Sequence, residues 1–162
     1  LDISNSMMAE DVSPSRLDKS KMLVENMVDN FTNDKIGLIV FAGSAFTQLP
    51  ITADYVSAKM FLQNAVPSLI EEQGTDIARA ITLARNNFTQ QKNIGRAIII
   101  ITDGEDHEGG AQEAAKAAKT AKAATAVIEF GNIATPILLE ETAAQAKAVN
   151  EIISILKSGK NL

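Results

Sequence analysis

Five residues with hard oxygen donors set the terms for any chemistry in this 162-residue chain. Asp2, Ser4 and Ser6 form an Asp-x-Ser-x-Ser run, Thr75 lies in Gly74-Thr75-Asp76, and Asp103 lies in Thr102-Asp103-Gly104-Glu105. Two carboxylates and three hydroxyls, with no Cys and no clustered His, make a donor set that suits Mg²⁺ or Mn²⁺. Hydroxyls are neutral ligands. An ion with only two carboxylates beside it therefore keeps net positive charge and can take one more carboxylate from outside the chain. Each part alone has a plainer meaning: Asp2, Ser4 and Ser6 as turn and cap residues, Asp103 as an Asp-Gly turn, Thr75 as a helix N-cap. All three in order, each where an apolar strand ends or a helix begins, predict one site.

The elements that must position these residues are legible as apolar patterns. Ile36–Ala42, Ala97–Thr102 and Ala126–Gly131 are unalternating runs rich in Ile or Val, as strands covered on both faces require. Leu1-Asp2-Ile3 reads as the end of a further buried strand, so the chain is expected to be a piece of a longer protein. Between the strands lie helical patterns at Ser15–Phe31, Asp54–Ala65, Thr75–Phe88 and Ala111–Ala124. In the first, Leu17, Met22, Leu23, Val24, Met27, Val28 and Phe31 fall near one face, and Pro14 suits a helix start. Phe46–Thr52, with Pro50, reads as an edge segment that runs antiparallel, or as surface round the site. Alternating strands and helices of these lengths predict an α/β fold with a mainly parallel sheet. In such sheets ligands bind beyond the carboxyl ends of the strands, which is where Asp2 and Asp103 fall. After Ala126–Gly131 come Pro136-Ile137-Leu138-Leu139 and a helical pattern from Glu141 to Lys157, a less regular end.

Composition narrows the function classes. The chain is 46% apolar and 4% aromatic, so its core must be aliphatic, and 162 residues suffice for one domain. A net charge of −5 without a basic cluster argues against nucleic acid as a main partner. The absence of Cys removes disulfides, thiolate nucleophiles and Cys-type zinc sites. No apolar run approaches the ~20 residues of a membrane span, so the expectation is a soluble domain, with any tether outside it. Gly109-Gly110 lacks the Gly-Lys-Ser/Thr of a phosphate loop and reads as slack before a helix. His107, the only histidine, reads as an exposed loop residue or as a ligand or partner contact on the rim. The acidic Glu105, Asp106 and Glu108 read as a solvated loop or as a second cation site or field-shaping group. Tyr55 and Met60 read as helix-packing residues.

At these residues the chain resembles the von Willebrand factor A (vWA) domain with its metal-ion-dependent adhesion site. Three stretches carry a closer resemblance to the bacterial aerotolerance (Bat) group: Leu1-Asp2-Ile3-Ser4-Asn5-Ser6-Met7, the run from Phe41 to Thr52, and Ile101-Thr102-Asp103-Gly104-Glu105-Asp106-His107-Glu108-Gly109-Gly110. The resemblance extends from Asp2 to about Gly131. It implies a doubly wound, Rossmann-like sheet with helices on both faces, one antiparallel edge strand, and a single domain over 1–162 with a truncated first strand. It implies that Ser4, Ser6 and Thr75 bind Mg²⁺ or Mn²⁺ through hydroxyls, and that Asp2 and Asp103 bind directly or through waters. The expected partner is a protein with an exposed Glu or Asp. The expected setting is a bacterial membrane-associated complex, tethered at the periplasmic face by segments outside this chain. Two other readings stand beside it. One is Mg²⁺-dependent phosphoryl transfer with Asp2 as nucleophile, for which Ser4 occupies the place where a second carboxylate is wanted. The other is a structural module with a vestigial site.

Overall fold

The structure is a computed structural model that describes residues 1–89, 94–104, 109–120 and 123–129. The elements in order are α1 (Arg16–Asp29), β1 (Ile36–Phe41), β2 (Ala45–Thr52), α2 (Tyr55–Gln63), α3 (Ile77–Asn87), β3 (Arg96–Thr102), α4 (Ala111–Thr120) and β4 (Ala123–Glu129). β1 pairs antiparallel with β2, whereas β3 pairs parallel with β4 from Arg96 opposite Ala123 to Thr102 opposite Glu129. The extended segment Leu1–Ile3 joins the two pairs. Asp2 N–H donates to Ile101 O at 2.9 Å, Ile3 N–H to Phe41 O at 2.8 Å, and Phe41 N–H to Leu1 O at 3.0 Å. Asp2 bridges Phe41 in the parallel sense. Among the described residues the sheet therefore runs β2, β1, Leu1–Ile3, β3, β4, with the antiparallel strand at one edge.

Alternation along the central strands splits the interior into two cores. On one face Ile3, Val40 and Ile101 pack with Leu17 of α1 and Leu62 of α2. On the other, Phe41, Ile98 and Ile100 pack with Ile77, Ala80 and Ile81 of α3 and Ala115 and Ala118 of α4. Helices thus cover both faces, as a doubly wound α/β fold demands. The apolar Ile98-Ile99-Ile100-Ile101 run exists because successive residues feed opposite cores.

Helix starts are set by local chemistry. Ser15 caps α1, accepting from Asp18 N–H at 3.1 Å while its hydroxyl donates to the Asp18 carboxylate at 2.9 Å. Asp54 caps α2 by accepting from Ser57 N–H at 3.0 Å. Four sequence expectations need correction. Thr75 is not the cap of α3: Asp76 is, accepting from Arg79 N–H at 2.8 Å, because a carboxylate one residue on reaches the first turn. Met22 and Met60, both read as packing residues of their helices, are exposed, and on α1 Lys21 is buried instead, its ammonium on Gln63 O at the end of α2 (3.2 Å). The helix expected through Ala124 stops at Thr120, and the strand expected from Ala126 begins at Ala123. There Ala residues of high helix propensity take ladder positions against Arg96–Ile98, so pairing overrides propensity. Finally, Ser15–Phe31 shortens to end at Asp29. Phe46–Thr52 is edge strand, as one of its two readings held. The Tyr55 ring lies 6.4 Å from that of Phe31, and its hydroxyl donates to Asp34 O at 2.7 Å, so it packs its helix. The expected Pro136–Leu139 segment and the Glu141–Lys157 helix lie outside the described residues.

Candidate metal centre

The carboxyl ends of β1, of Leu1–Ile3 and of β3 share one rim of the sheet. Asp2, wholly buried, sits there with both oxygens occupied. Ser4 N–H donates to Oδ1 at 2.8 Å, an Asx-type turn that bends the chain out of the strand. Thr102 Oγ1 donates to Oδ2 at 2.7 Å from the end of β3. Ser4 is buried, Ser6 is exposed, and their hydroxyl oxygens are 2.9 Å apart, so both hydroxyls face one spot. Burial lifts the Asp2 carboxyl above the ordinary carboxylate range, and the charge of nearby Asp103 pushes the same way, against the hydrogen bonds from Ser4 and Thr102.

Asp103 follows β3 directly. Its side chain is only 1% exposed, yet one of its oxygens, Oδ1, is buried without a hydrogen-bond partner among the described residues. The other, Oδ2, accepts from Arg16 Nη1 at 3.2 Å. An ionised carboxylate oxygen out of water and unpartnered is costly. A cation is the partner that chemistry would supply.

Thr75 arrives on the loop between α2 and α3 and is 1% exposed. Three contacts hold that loop to the rim. Gly43 N–H donates to Glu72 O at 3.0 Å, Asp76 N–H donates to Ala42 O at 2.8 Å, and Asn5 N–H donates to Gln73 Oε1 at 3.0 Å. The approach is close enough to forbid a side chain at Gly43, where a Cβ would lie 2.5 Å from Gln73 O. Gly74 turns the chain at φ +124°, a conformation that favours glycine. With Asp76 acting as cap, Thr75 is relieved of that duty. The structure thus ties Asp2, Ser4, Ser6 and Asp103 together by bonds and charge, and brings the Thr75 loop against the Ser4–Ser6 turn through Asn5 and Gln73.

Among the described residues, no three His, Cys, Asp or Glu side chains gather as a metal-binding group. A cation at this rim would, among the described residues, rest on hydroxyls and on the carboxylates of Asp2 and Asp103. The donor set and the unpartnered Asp103 oxygen both fit a hard divalent ion. His107, Glu105, Asp106 and Glu108 lie outside the described residues. Sequence reading passed over three participants: Thr102, Gln73 and Arg16. Thr102 had a signal, as the hydroxyl at the strand end beside Asp103. Gln73 and Arg16 had none, because each acts on a residue far away in sequence.

A sheet covered by helices on both faces, with hydroxyls and carboxylates at its carboxyl rim, makes this a doubly wound α/β domain. Residues 1–105 match the model of the von Willebrand factor type A domain, and the chain belongs to that family. Domains of the family commonly bind a divalent metal and serve in protein–protein interaction. The chain is similar to the conserved hypothetical protein BatB from Bacteroides thetaiotaomicron, 44% identical with a TM-score of 0.80 over 96% of both chains. It is also similar to an aerotolerance-related membrane protein from Bacteroides fragilis, 47% identical with a TM-score of 0.76 over 93% of this chain and 84% of that one. The fold alone is shared with proximal thread matrix protein 1 of the mussel byssus, 19% identical with a TM-score of 0.72 over 96% of this chain and 46% of that one. That protein has been seen with zinc in its adhesion site. An uncharacterized protein of Borreliella burgdorferi is 34% identical over 107 residues, 64% of this chain, which spans 30% of that protein's length.

Proposed function

We propose that this domain is a non-enzymatic, metal-dependent protein-interaction module in which Asp2, Ser4, Ser6, Thr75 and Asp103 hold Mg²⁺ or Mn²⁺. The observation that carries the reading is Asp103 Oδ1, buried at the end of β3 with no hydrogen-bond partner among the described residues, together with the Ser4 and Ser6 hydroxyls 2.9 Å apart on the turn that follows Leu1–Ile3. An ion held there supplies an electrophile for one Glu or Asp side chain of a partner. The chain's own part is to present neutral hydroxyls, to keep carboxylates down to two, and to hold Asp2 rigid through Ser4 and Thr102. A charge-assisted contact at a partly desolvated spot can dominate a small interface. The similarity to a protein described as an aerotolerance-related membrane protein supports a place in a bacterial membrane-associated complex, with the tether in other segments and the domain on the periplasmic face. Among the described residues no helix is long and apolar enough to cross a membrane.

Phosphoryl transfer is the weaker reading. Asp2 is fully buried and both its oxygens accept hydrogen bonds, which suits a fixed positioning carboxylate and not a nucleophile open to attack.

The test is affinity capture from a bacterial membrane extract by the wild-type domain and by Asp103→Ala, with Mg²⁺ or with chelator. Capture that needs both Mg²⁺ and Asp103 is expected. For a captured partner, changing its contacting acidic residue to the amide should weaken binding about tenfold, or ~1.4 kcal/mol. The loss should nearly vanish in chelator, because both changes act on one bond. Equal capture in chelator, or fully additive losses, would overturn the mechanism.

A further inference from the structure

Arg16 stands at the first position of α1 and reaches two carboxylates from different parts of the chain. Its Nε and Nη2 hold Asp11 at 2.8 and 2.9 Å in a bidentate fork, and its Nη1 donates to Asp103 Oδ2 at 3.2 Å. Asp11 is half exposed, whereas the Asp103 side chain is sealed from water. The two candidate carboxylates of the rim are therefore satisfied by different means. Asp2 relies on hydrogen bonds from neutral groups. Asp103 has a full positive charge on one oxygen and, among the described residues, no hydrogen-bond partner on the other.

We infer that Arg16 is a built-in counter-cation of the metal centre, a positioning residue that orients Asp103 and competes with the metal for its charge, with Asp11 restraining that competition. The inference rests on the reading of Asp103 as a metal ligand and deepens it. A guanidinium is always protonated, and its fixed fork pairs best with a carboxylate taken bidentately. Asp11 occupies that bidentate edge and leaves Asp103 a single Nη1 contact, so Oδ1 stays open. Without metal, the shared guanidinium offsets the charge of a buried carboxylate. When an ion binds, the same guanidinium repels it across one carboxylate group. The expected result is a domain that folds without metal and holds its ion loosely enough to leave it electrophilic toward a partner's acid.

Two substitutions should move metal affinity in opposite directions. Arg16→Gln removes the competing charge and should tighten Mg²⁺ binding about fivefold, near 1 kcal/mol, in calorimetric titration with MgCl₂. The same variant should melt several degrees lower than wild type in chelator. Asp11→Asn frees the fork to turn on Asp103 and should weaken Mg²⁺ binding roughly threefold, with little change in metal-free melting. Arg16→Gln that binds Mg²⁺ no more tightly than wild type overturns the inference, as do shifts of the same sign in both variants. If Arg16→Gln fails to fold, Asp11→Asn decides alone: weaker binding supports the inference, and unchanged or tighter binding overturns it. A wild-type chain that binds no Mg²⁺ overturns the metal reading and this inference with it. A wild-type chain that binds, with variants that bind equally well, overturns this inference alone.

Discussion

The backbone N–H of Asn5 donates to the side-chain carbonyl of Gln73 at 3.0 Å, joining two loops that lie 68 positions apart. One loop carries Ser4 and Ser6, and the other carries Thr75. Gln73 is itself steadied, since its amide nitrogen donates to Ile70 O at 2.8 Å. Gln73 therefore ties two sources of candidate ligands directly to each other, beside the two backbone bonds that hold its loop to Ala42 and Gly43. The sheet alone would not do this, because both groups sit on loops beyond its edge.

Gln73→Leu should accordingly weaken Mg²⁺ binding while changing melting little. Gln73 is exposed, so water can take over the Asn5 N–H, and the fold loses little. What is lost is registration of the two loops. A bond of about 1 kcal/mol corresponds to roughly fivefold in affinity. Calorimetry with MgCl₂ and a melting curve in chelator read the two effects separately. Equal affinity in the variant would show that Thr75 is placed by other means.

Gly43→Ala tests the backbone contact beneath the same loop. An added Cβ would lie 2.5 Å from Gln73 O and 2.8 Å from Glu72 O, and both are backbone atoms that move only with the loop. Destabilisation of about 1–3 kcal/mol is expected, together with weaker metal binding. Gly95→Ala is the matched control, because among the described residues nothing lies within 4 Å of its added carbon. It should stay within about 0.5 kcal/mol of wild type by chemical denaturation. A Gly43 variant as stable as the Gly95 variant would mean that the loop yields freely.

Much of this was legible in the chain because buried parallel strands must be apolar on both faces. Ile98–Ile101 could scarcely be anything else, and a carboxylate at the end of such a run falls at the rim where ligands collect. Asp2 and Asp103 were readable for that reason. What stayed hidden acts across distance or against propensity. The Arg16–Asp103 contact spans 87 positions and depends on how α1 packs over the sheet. Ala123 and Ala124 have helical preference but are drafted into β4 by the ladder of Arg96 and Ala97. The roles of Thr75 and Asp76 could not be separated by type, since both residues cap helices well. Only the bond from Arg79 N–H to Asp76 decides it.

Removing metal should leave the fold standing. The two cores are aliphatic and sit on either side of the sheet, so neither is built on the rim. Far-ultraviolet circular dichroism in chelator should match that in MgCl₂. Melting should rise with added metal only as mass action requires, about 2.7 kcal/mol at a hundredfold excess over Kd. Loss of the helical signal on chelation would make the ion a structural component of the fold.

The Thr102 hydroxyl offers the sharpest test of how Asp2 is held. It donates to Asp2 Oδ2 at 2.7 Å in a place with no solvent access to either residue, and it also accepts from Gly104 N–H at 3.3 Å. Thr102→Val keeps the shape and removes the donor, leaving a buried carboxylate oxygen without its partner. That should cost about 1–3 kcal/mol or more of stability in chelator. Thr102→Ser keeps the donor and loses only a methyl group, at roughly 1 kcal/mol. The Val variant should therefore melt below the Ser variant. It should also bind Mg²⁺ more weakly, since Asp2 is freed to turn and the Asp103-Gly104 turn loses its tie to Thr102. If the two variants melt alike and bind alike, the hydroxyl contributes nothing to Asp2, and the carboxylate must be held by the Ser4 N–H alone.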